Sequence, residues 1–492
     1  MIRLFLSLLL LSAACNFRPA YERPELEMGQ TYRFEPVNAS EYANLSWWKQ
    51  FQDPTLDNLI EIALENNKDL HVATARVLEY NAKYKIVFSQ FFPEIDAQGN
   101  LDRLKLSQDV NFQPIPLKVP RINPLYAFLF KISYEIDFWG KIRNQTESAK
   151  AIYLSQIYAR QNVILTLVSS VAANYILLKQ YIKQLEISKL TYDSRKEAWD
   201  IAILRFDGGL VSELEVKQAE SETLVAEVEI KNFELFIGKQ EDLISVLLGQ
   251  APGPIEGGLL LSELILPPSV PTGLPSDLLE NRPDILQAEE QILAANADVG
   301  VARAAFFPSF TLTGDYGQRT TRANQFFESS ATLWDIGLQA FEPLFTGWRL
   351  TNQLNESEAI LLEALYSYQQ TILTALKEVD DALISHEKAK EKLAIQRERV
   401  AALKEYLNLA NLRYFNGQSD YLTVLDAEKS LFVTQLSEVV TEGDLFYSLI
   451  FLYKALGQGW NVEIPCESDP TNEVEETGPV LVQMDCTQPL PQ

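Results

Sequence analysis

The sequence predicts a mixed α and β protein made of two copies of one unit: helix, two amphipathic strands, long helix, tight turn, helix. Three observations carry this. The apolar period switches from helical to two at Phe91-Phe92-Pro93 and again at Phe306-Phe307-Pro308. Two very long stretches, from Ile142 to Leu204 and from Arg349 to Leu412, contain neither proline nor glycine. Leu376, Val379 and Leu383 fall 208 residues after Val168, Val171 and Tyr175, and RYFNG (413–417) answers RFDGG (205–209) at the same offset, which marks an internal duplication.

The first fourteen residues, MIRLFLSLLLLSAA, have the form of an export signal: Arg3, an apolar run, then small residues. Cleavage after Ala14 by the ordinary signal peptidase and lipoprotein processing with Cys15 carrying the lipid both leave Cys15 first. An extended, Pro-containing segment follows over 15–52. Helical pattern then runs from about Leu56 to Phe91, and the first repeat spans 53–249.

In the first strand, about 93–104, Ile95, Ala97, Gly99 and Leu101 alternate with Glu94, Asp96, Gln98 and Asn100. A connection containing Pro114, Pro116, Pro120 and Pro124 leads to the second, about 126–138, where Phe128, Phe130, Ile132 and Tyr134 form the apolar face. Eleven residues suit a tilted strand crossing a bilayer, and equally a soluble hairpin with one face on a core. The helical hairpin 142–249 follows. Val168, Val171, Tyr175, Leu178, Ile182 and Leu185 give it a heptad seam. At 1.5 Å per residue its first helix is about 95 Å long, too long for a compact domain.

A Pro/Gly-rich linker, 250–281, joins the repeats. The second repeat, 282–458, opens with a helix over 283–306, with Pro283 in its first turn. Strands at about 308–319 and 331–342 precede the hairpin 349–456. An acidic, Pro-containing tail occupies 459–492. Cys466 and Cys486 lie there and could form a disulfide in an exported protein.

One chain thus supplies four amphipathic strands. Four cannot close a barrel, and an open edge cannot sit in lipid. If these strands span a membrane, several chains share one barrel. Eight strands leave an interior that side chains fill, so a conducting pore favours twelve strands and a homotrimer, with the hairpins forming an α-helical tube.

Composition excludes other classes. With 67 acidic against 42 basic residues the net charge is −25, which argues against a nucleic-acid partner. No internal run of eighteen apolar residues marks a membrane-spanning helix, which says nothing of strands. The only histidines, His71 and His386, sit in helical patterns. There is no metal-ligand spacing, phosphate-cradling loop or nucleophile elbow. No enzyme and no cofactor is expected.

Several stretches resemble the outer-membrane factors of tripartite efflux pumps, in their lipoprotein branch. They are Cys15 followed closely by RPAYERP, the stretch RPDILQAEEQILAANADVGVARAAFFPSFTLTG (282–314), and the turns LRFDGGLVS and LRYFNGQSDYLTVLDAEKS. The resemblance covers about 15–460. It implies a trimeric α-barrel joined to a twelve-stranded β-barrel in the outer membrane, with lipid on Cys15. It implies that Arg205, Gly208, Gly209, Ser212, Arg413, Gly417 and Ser419 form a periplasmic tip. That tip would meet a periplasmic adaptor (membrane fusion) protein, and through it an inner-membrane transporter. Leu422 and Asp426, with Asp420 nearby, would narrow the closed pore. A conduit for protein secretion and a pore-less periplasmic coiled-coil scaffold are the other readings.

Overall fold

The computed structural model describes residues 17–21, 23, 46–105, 122–266 and 281–460. The export signal, Cys15, most of the N-terminal segment, the tail beyond Trp460 and the pair Cys466 and Cys486 lie outside the described residues. The regular elements are α1 (Pro54–Asn66), α2 (Lys68–Phe88), β1 (Glu94–Lys105), β2 (Ile122–Ile136), α3 (Lys141–Asp207) and α4 (Glu213–Leu247). After the linker come α5 (Pro283–Ala304), β3 (Ser309–Thr320), β4 (Thr332–Phe341), α6 (Arg349–Phe415) and α7 (Tyr421–Ala455). The chain divides into two compact units: Met1–Leu26, Ala75–Ile157 and Gln287–Gln370 form one, and Glu27–Thr74, Tyr158–Leu286 and Thr371–Gln492 the other.

The first unit holds one antiparallel sheet in the order β1-β2-β3-β4, so both repeats feed a single sheet. Residues opposite one another in an antiparallel pair share a face. Ile95 faces Ile132, Ile132 faces Gly314, and Gly314 faces Ile336. One step along, Ala97, Phe130, Tyr316 and Trp334 form a second row. The other face carries Asp96, Lys131, Asp315 and Asp335 in a single row. One face is thus apolar across all four strands in these two rows, and the reverse carries the charged row beside a mixed one of Gln98, Leu129, Gly317 and Leu333. The apolar face is uncovered: Trp334 and Ile336 are each 73% exposed.

In the same unit residues 17–21 and 23 lie along α5. Phe17 stacks on Phe307 at 4.6 Å, Asn296 donates to the Pro19 carbonyl, and Tyr21 and Arg23 both donate to Glu289.

The core of the second unit gathers around Trp47, fully buried and stacked on Tyr453 at 5.1 Å, with Phe51 and Phe446 edge-on beneath. Asp53 ties three segments together. It caps α1 through the Thr55 amide, accepts the Tyr175 hydroxyl of α3 at 2.6 Å, and accepts the Leu259 amide of the linker. Burial pushes the Tyr175 hydroxyl up and the Lys179 ammonium down, and Lys179 donates to the Gly257 carbonyl.

Three departures from the sequence reading have physical causes. The helical pattern from Leu56 to Phe91 breaks at Asn67, which takes an extended conformation and caps α2 by accepting the Leu70 amide at 3.0 Å. Strand β2 starts at Ile122 and includes Pro124, opposite Arg103 and close to the strand's beginning, where a missing N–H is tolerated. Along α3 the seam follows Val168, Val171, Tyr175 and Leu178, then leaves Ile182 and Leu185 half-exposed. Gln184, Ser188, Arg195 and Ala202 are buried in their place. Helix α3 also contains an eighteen-residue window apolar enough to cross a membrane by composition, but 56% of that window is buried inside the protein.

Candidate functional site

The two hairpin turns and the start of α7 hold the residues singled out from the sequence, all in the second unit. Both turns end their first helix in the same way. The Leu210 amide donates to the Arg205 carbonyl at 2.8 Å, and the Gln418 amide to the Arg413 carbonyl at 2.8 Å. These are six-to-one bonds closing over a glycine in the left-handed region, Gly209 at φ 72° and Gly417 at φ 69°. Nothing lies within 4 Å of a Cβ placed on either glycine, so the backbone angle is what calls for glycine there.

The second helices start differently. Ser212 occupies the N-cap of α4 but its hydroxyl makes no capping bond. At α7 the cap is Asp420, whose Oδ1 accepts the Thr423 amide at 3.3 Å and its hydroxyl at 3.0 Å. Ser419 is not the cap, and its hydroxyl is buried with no hydrogen-bond partner. A carboxylate outcompetes a serine one position earlier because it also complements the helix N-terminus.

Behind the turns Ala202, Ala219, Ala410, Tyr421, Val424, Leu425 and Ala427 bring α3, α4, α6 and α7 together. Small residues let the four helices approach closely. The Arg205 guanidinium lies 4.8 Å over the Tyr414 ring, and the Tyr414 hydroxyl donates to Glu215 at 2.8 Å. Burial, followed by the bond to Glu215, pushes that hydroxyl up to about 12. Arg205 thus links the first turn to the second. Arg413, Gly208, Gly209, Ser212 and Gly417 are exposed.

Leu422 and Asp426 sit one helical turn apart on one face of α7, and both are exposed. Asp426 accepts from Tyr406 of α6 at 3.3 Å. The opposite face of the same turn is buried, with Tyr421, Val424, Leu425 and Ala427. Leu422 therefore belongs to no core within the chain, and Asp420 stands beside it as the helix cap.

Sequence reasoning missed Tyr406, Tyr414 and a buried charged group further along the hairpins. Arg195, 3% exposed, donates to the Glu222 carbonyl at 2.7 Å, pairs with its carboxylate at 3.1 Å, and lies over the Phe432 ring. Burial pushes the neighbouring Glu428 up, against the pull of Arg195. Glu428 matches Glu220 at the repeat offset, yet Glu220 is a surface partner of Lys217. The seam spacing continues through 189, 192, 196 and 199, so Arg195 falls off it and no periodic signal marked it for burial. Among the described residues no group of His, Cys, Asp and Glu side chains could hold a metal ion.

The family model for "Outer membrane efflux protein" matches residues 59–250 and 274–458. The solvent efflux pump outer membrane protein SrpC of Pseudomonas putida is 34% identical over 464 residues, 92% of this chain and 97% of that protein. The cation efflux system protein CusC of Escherichia coli O157:H7 is 30% identical over 457 residues, 91% of this chain and 96% of that protein. Among solved structures, the open state of the Neisseria gonorrhoeae MtrE outer membrane channel matches with a TM-score of 0.82 at 27% identity, covering 91% of this chain and 99% of that one. The outer-membrane channel OprN matches with a TM-score of 0.82, also at 27% identity, covering 91% and 100%.

Proposed function

The chain belongs to the outer membrane efflux protein family and serves as an outer-membrane channel of an efflux system, and on that premise we propose that it works as a homotrimer whose gate is Leu422 and Asp426. The observation that carries the trimer is the four-stranded sheet, with apolar rows running across all four strands on one face and both edges open. Lipid tolerates that sheet only when the edges are paired, and three copies give twelve strands. The sheet also argues against a pore-less scaffold, which would have no use for its uncovered apolar face.

Leu422 and Asp426 are uncovered in the chain and follow directly on the second turn. Brought near a threefold axis, three Asp426 carboxylates repel one another and attract cations, while three Leu422 side chains resist wetting. The two turns, with Arg205, Gly208, Gly209, Ser212, Arg413, Gly417 and Ser419, form the surface that meets a periplasmic adaptor. The adaptor links the channel to an inner-membrane transporter. Cys15 carries a lipid that holds the N-terminal segment in the outer membrane, and Cys466 pairs with Cys486. Relatives named for solvent, antibiotic and cation efflux favour small solutes over polypeptides as cargo.

The test is single-channel conductance in a planar bilayer, alongside the oligomer mass in detergent. A trimer giving small, cation-preferring currents is expected, and Asp426→Ala raises its resting conductance. A monomer without current would sink the channel. A trimer whose conductance ignores Asp426→Ala would move the gate elsewhere.

A further inference from the structure

Within the first unit the two repeats meet at a seam below the β2-β3 pair. The corner leaving β2 carries Phe138, Trp139 and Gly140, and the bend entering β3 carries Phe307 and Pro308. Trp139 Nε1 donates to the Pro308 carbonyl at 2.8 Å, and its ring lies 4.9 Å from Phe307. Phe138 meets Phe310 edge-on at 6.1 Å. Phe17, from the segment along α5, stacks on Phe307 and lies 6.0 Å from Trp139. All these rings are half-buried or nearly so.

The same two motifs occur again at the outer edges of the sheet. The bend entering β1 carries Phe92 and Pro93. The corner leaving β4 carries Leu344, Phe345, Gly347 and Trp348, with Gly347 at φ 59° answering Gly140 at φ 75°. These side chains are uncovered: Phe92 is 61% exposed, Phe345 85% and Trp348 74%. Such a density of exposed large apolar groups marks a surface meant to be covered. The chain itself displays what covers it, because a β4-type corner against a β1-type bend is the inner seam.

We propose that Phe345 and Trp348 of one copy dock against Phe92 and Pro93 of a second copy, repeating between chains the seam that joins the repeats within one. The proposal rests on the trimeric reading and adds the contact that closes it. The alternation of β1 and β4 excludes a one-residue slip but leaves a two-residue slip open; a corner of aromatic rings fixes which residues of β4 and β1 lie opposite. The two seams are not identical. Phe17 packs into the inner one. Trp348 has no counterpart at its own position in repeat 1, where Lys141 follows Gly140. It supplies the ring that the outer seam would otherwise lack.

The experiment uses full-length chains in native membranes, with Cys466→Ser and Cys486→Ser. Phe345→Cys and Phe92→Cys are placed on separate, differently tagged chains and co-expressed. A short bis-maleimide is expected to join the two tags. Trp139→Cys with Phe307→Cys in one chain is the control, closing without a change in oligomer mass. If either single substitution blocks assembly, p-benzoylphenylalanine at position 345 keeps the aromatic ring, and its photoproduct is expected in the peptide containing Phe92. A trimeric mass with a reactive control but no product between positions 345 and 92 overturns the seam and leaves the trimer standing. Labelling of Phe345→Cys in the assembled trimer by a lipid-dissolved maleimide also overturns it, since the corner then faces the bilayer. A monomeric mass overturns the trimeric reading, and the seam with it.

Discussion

The two repeats close their hairpins with the same joint and different side chains. In repeat 1 the Asn67 amide donates to the Leu247 carbonyl at 2.9 Å, at the end of α4. In repeat 2 the Arg282 guanidinium donates to the Ala455 carbonyl at 2.8 Å, at the end of α7. Those carbonyls are 208 residues apart, the offset of the duplication. Each donor precedes a helix, and each helix end would otherwise leave buried carbonyls unpaired. The difference is charge. Asn67 joins two helices. Arg282, 5% exposed, also pairs with Asp284 at 2.6 Å and Glu378 at 2.8 Å, and so draws α6 into the joint. Duplication kept the backbone problem and let the second copy solve it with a group that reaches further.

The largest test of that contrast is to truncate both donors. Arg282→Ala leaves two carboxylates and a carbonyl without their partner and is expected to cost about 3–5 kcal/mol. Asn67→Ala removes one cap and one neutral bond, about 1–2 kcal/mol. Thermal unfolding of the two variants measures this, and equal losses would mean that the carboxylates contribute nothing to the joint.

Next come the glycines. A Cβ on Gly249 would run into the Asn66 carbonyl, whereas one on Gly209 meets nothing within 4 Å. Gly249→Ala is therefore expected to lower stability by several times the roughly 1–2 kcal/mol that Gly209→Ala loses to its backbone angle alone. Similar losses would show that the joint opens to accept a methyl.

The helix starts sharpen the comparison at a smaller scale. Asp420→Ala should cost about 1 kcal/mol and Ser212→Ala close to nothing, because only the first side chain makes a capping bond. Circular dichroism melts of the two variants distinguish them, and a loss at Ser212 would mean that it caps in solution.

The last contrast is one of pH. Helix α5 places Glu289 and Glu290 together. Burial, then the Glu289 charge, push Glu290 from 4.5 up to about 7, against Lys150. The folded state therefore holds a proton that the unfolded chain has lost. This contribution to stability is complete below about pH 4.5, declines as pH rises towards 7, and is flat above. Glu290→Gln should remove that decline from the pH profile of the melting temperature. A profile unchanged by the substitution would place the titration elsewhere.

Much of the fold was legible in the sequence, because strands, long helices and the duplication are periodic signals repeated over many residues. Phe91-Phe92-Pro93 and Phe306-Phe307-Pro308 mark real helix-to-strand transitions, and the four strands form one sheet. The joints were not legible. Asn67 breaks a helix without being proline or glycine, and only its bonds to Leu70 and Leu247 explain why. Ser419 and Asp420 are adjacent residues that both suit an N-cap, and only the bond from the Thr423 amide to Asp420 tells them apart. The stack of Arg205 on Tyr414 joins residues of different repeats, and no local pattern reports such a contact. At the proposed gate the pattern showed a helix beginning; that Leu422 is left without a core is visible only in three dimensions.

The open edges of β1 and β4 bear on biogenesis. A single chain arrives at the membrane with two rows of unmatched backbone donors and acceptors, and any extended polypeptide nearby is a competitor for them. Under the trimeric reading proposed above, insertion and association are one event, because a lone chain would leave both edges open to lipid. Yield should depend steeply on how many nascent chains meet at once, and a holding chaperone that shields strand edges would raise it more than any gain in the helices' own stability.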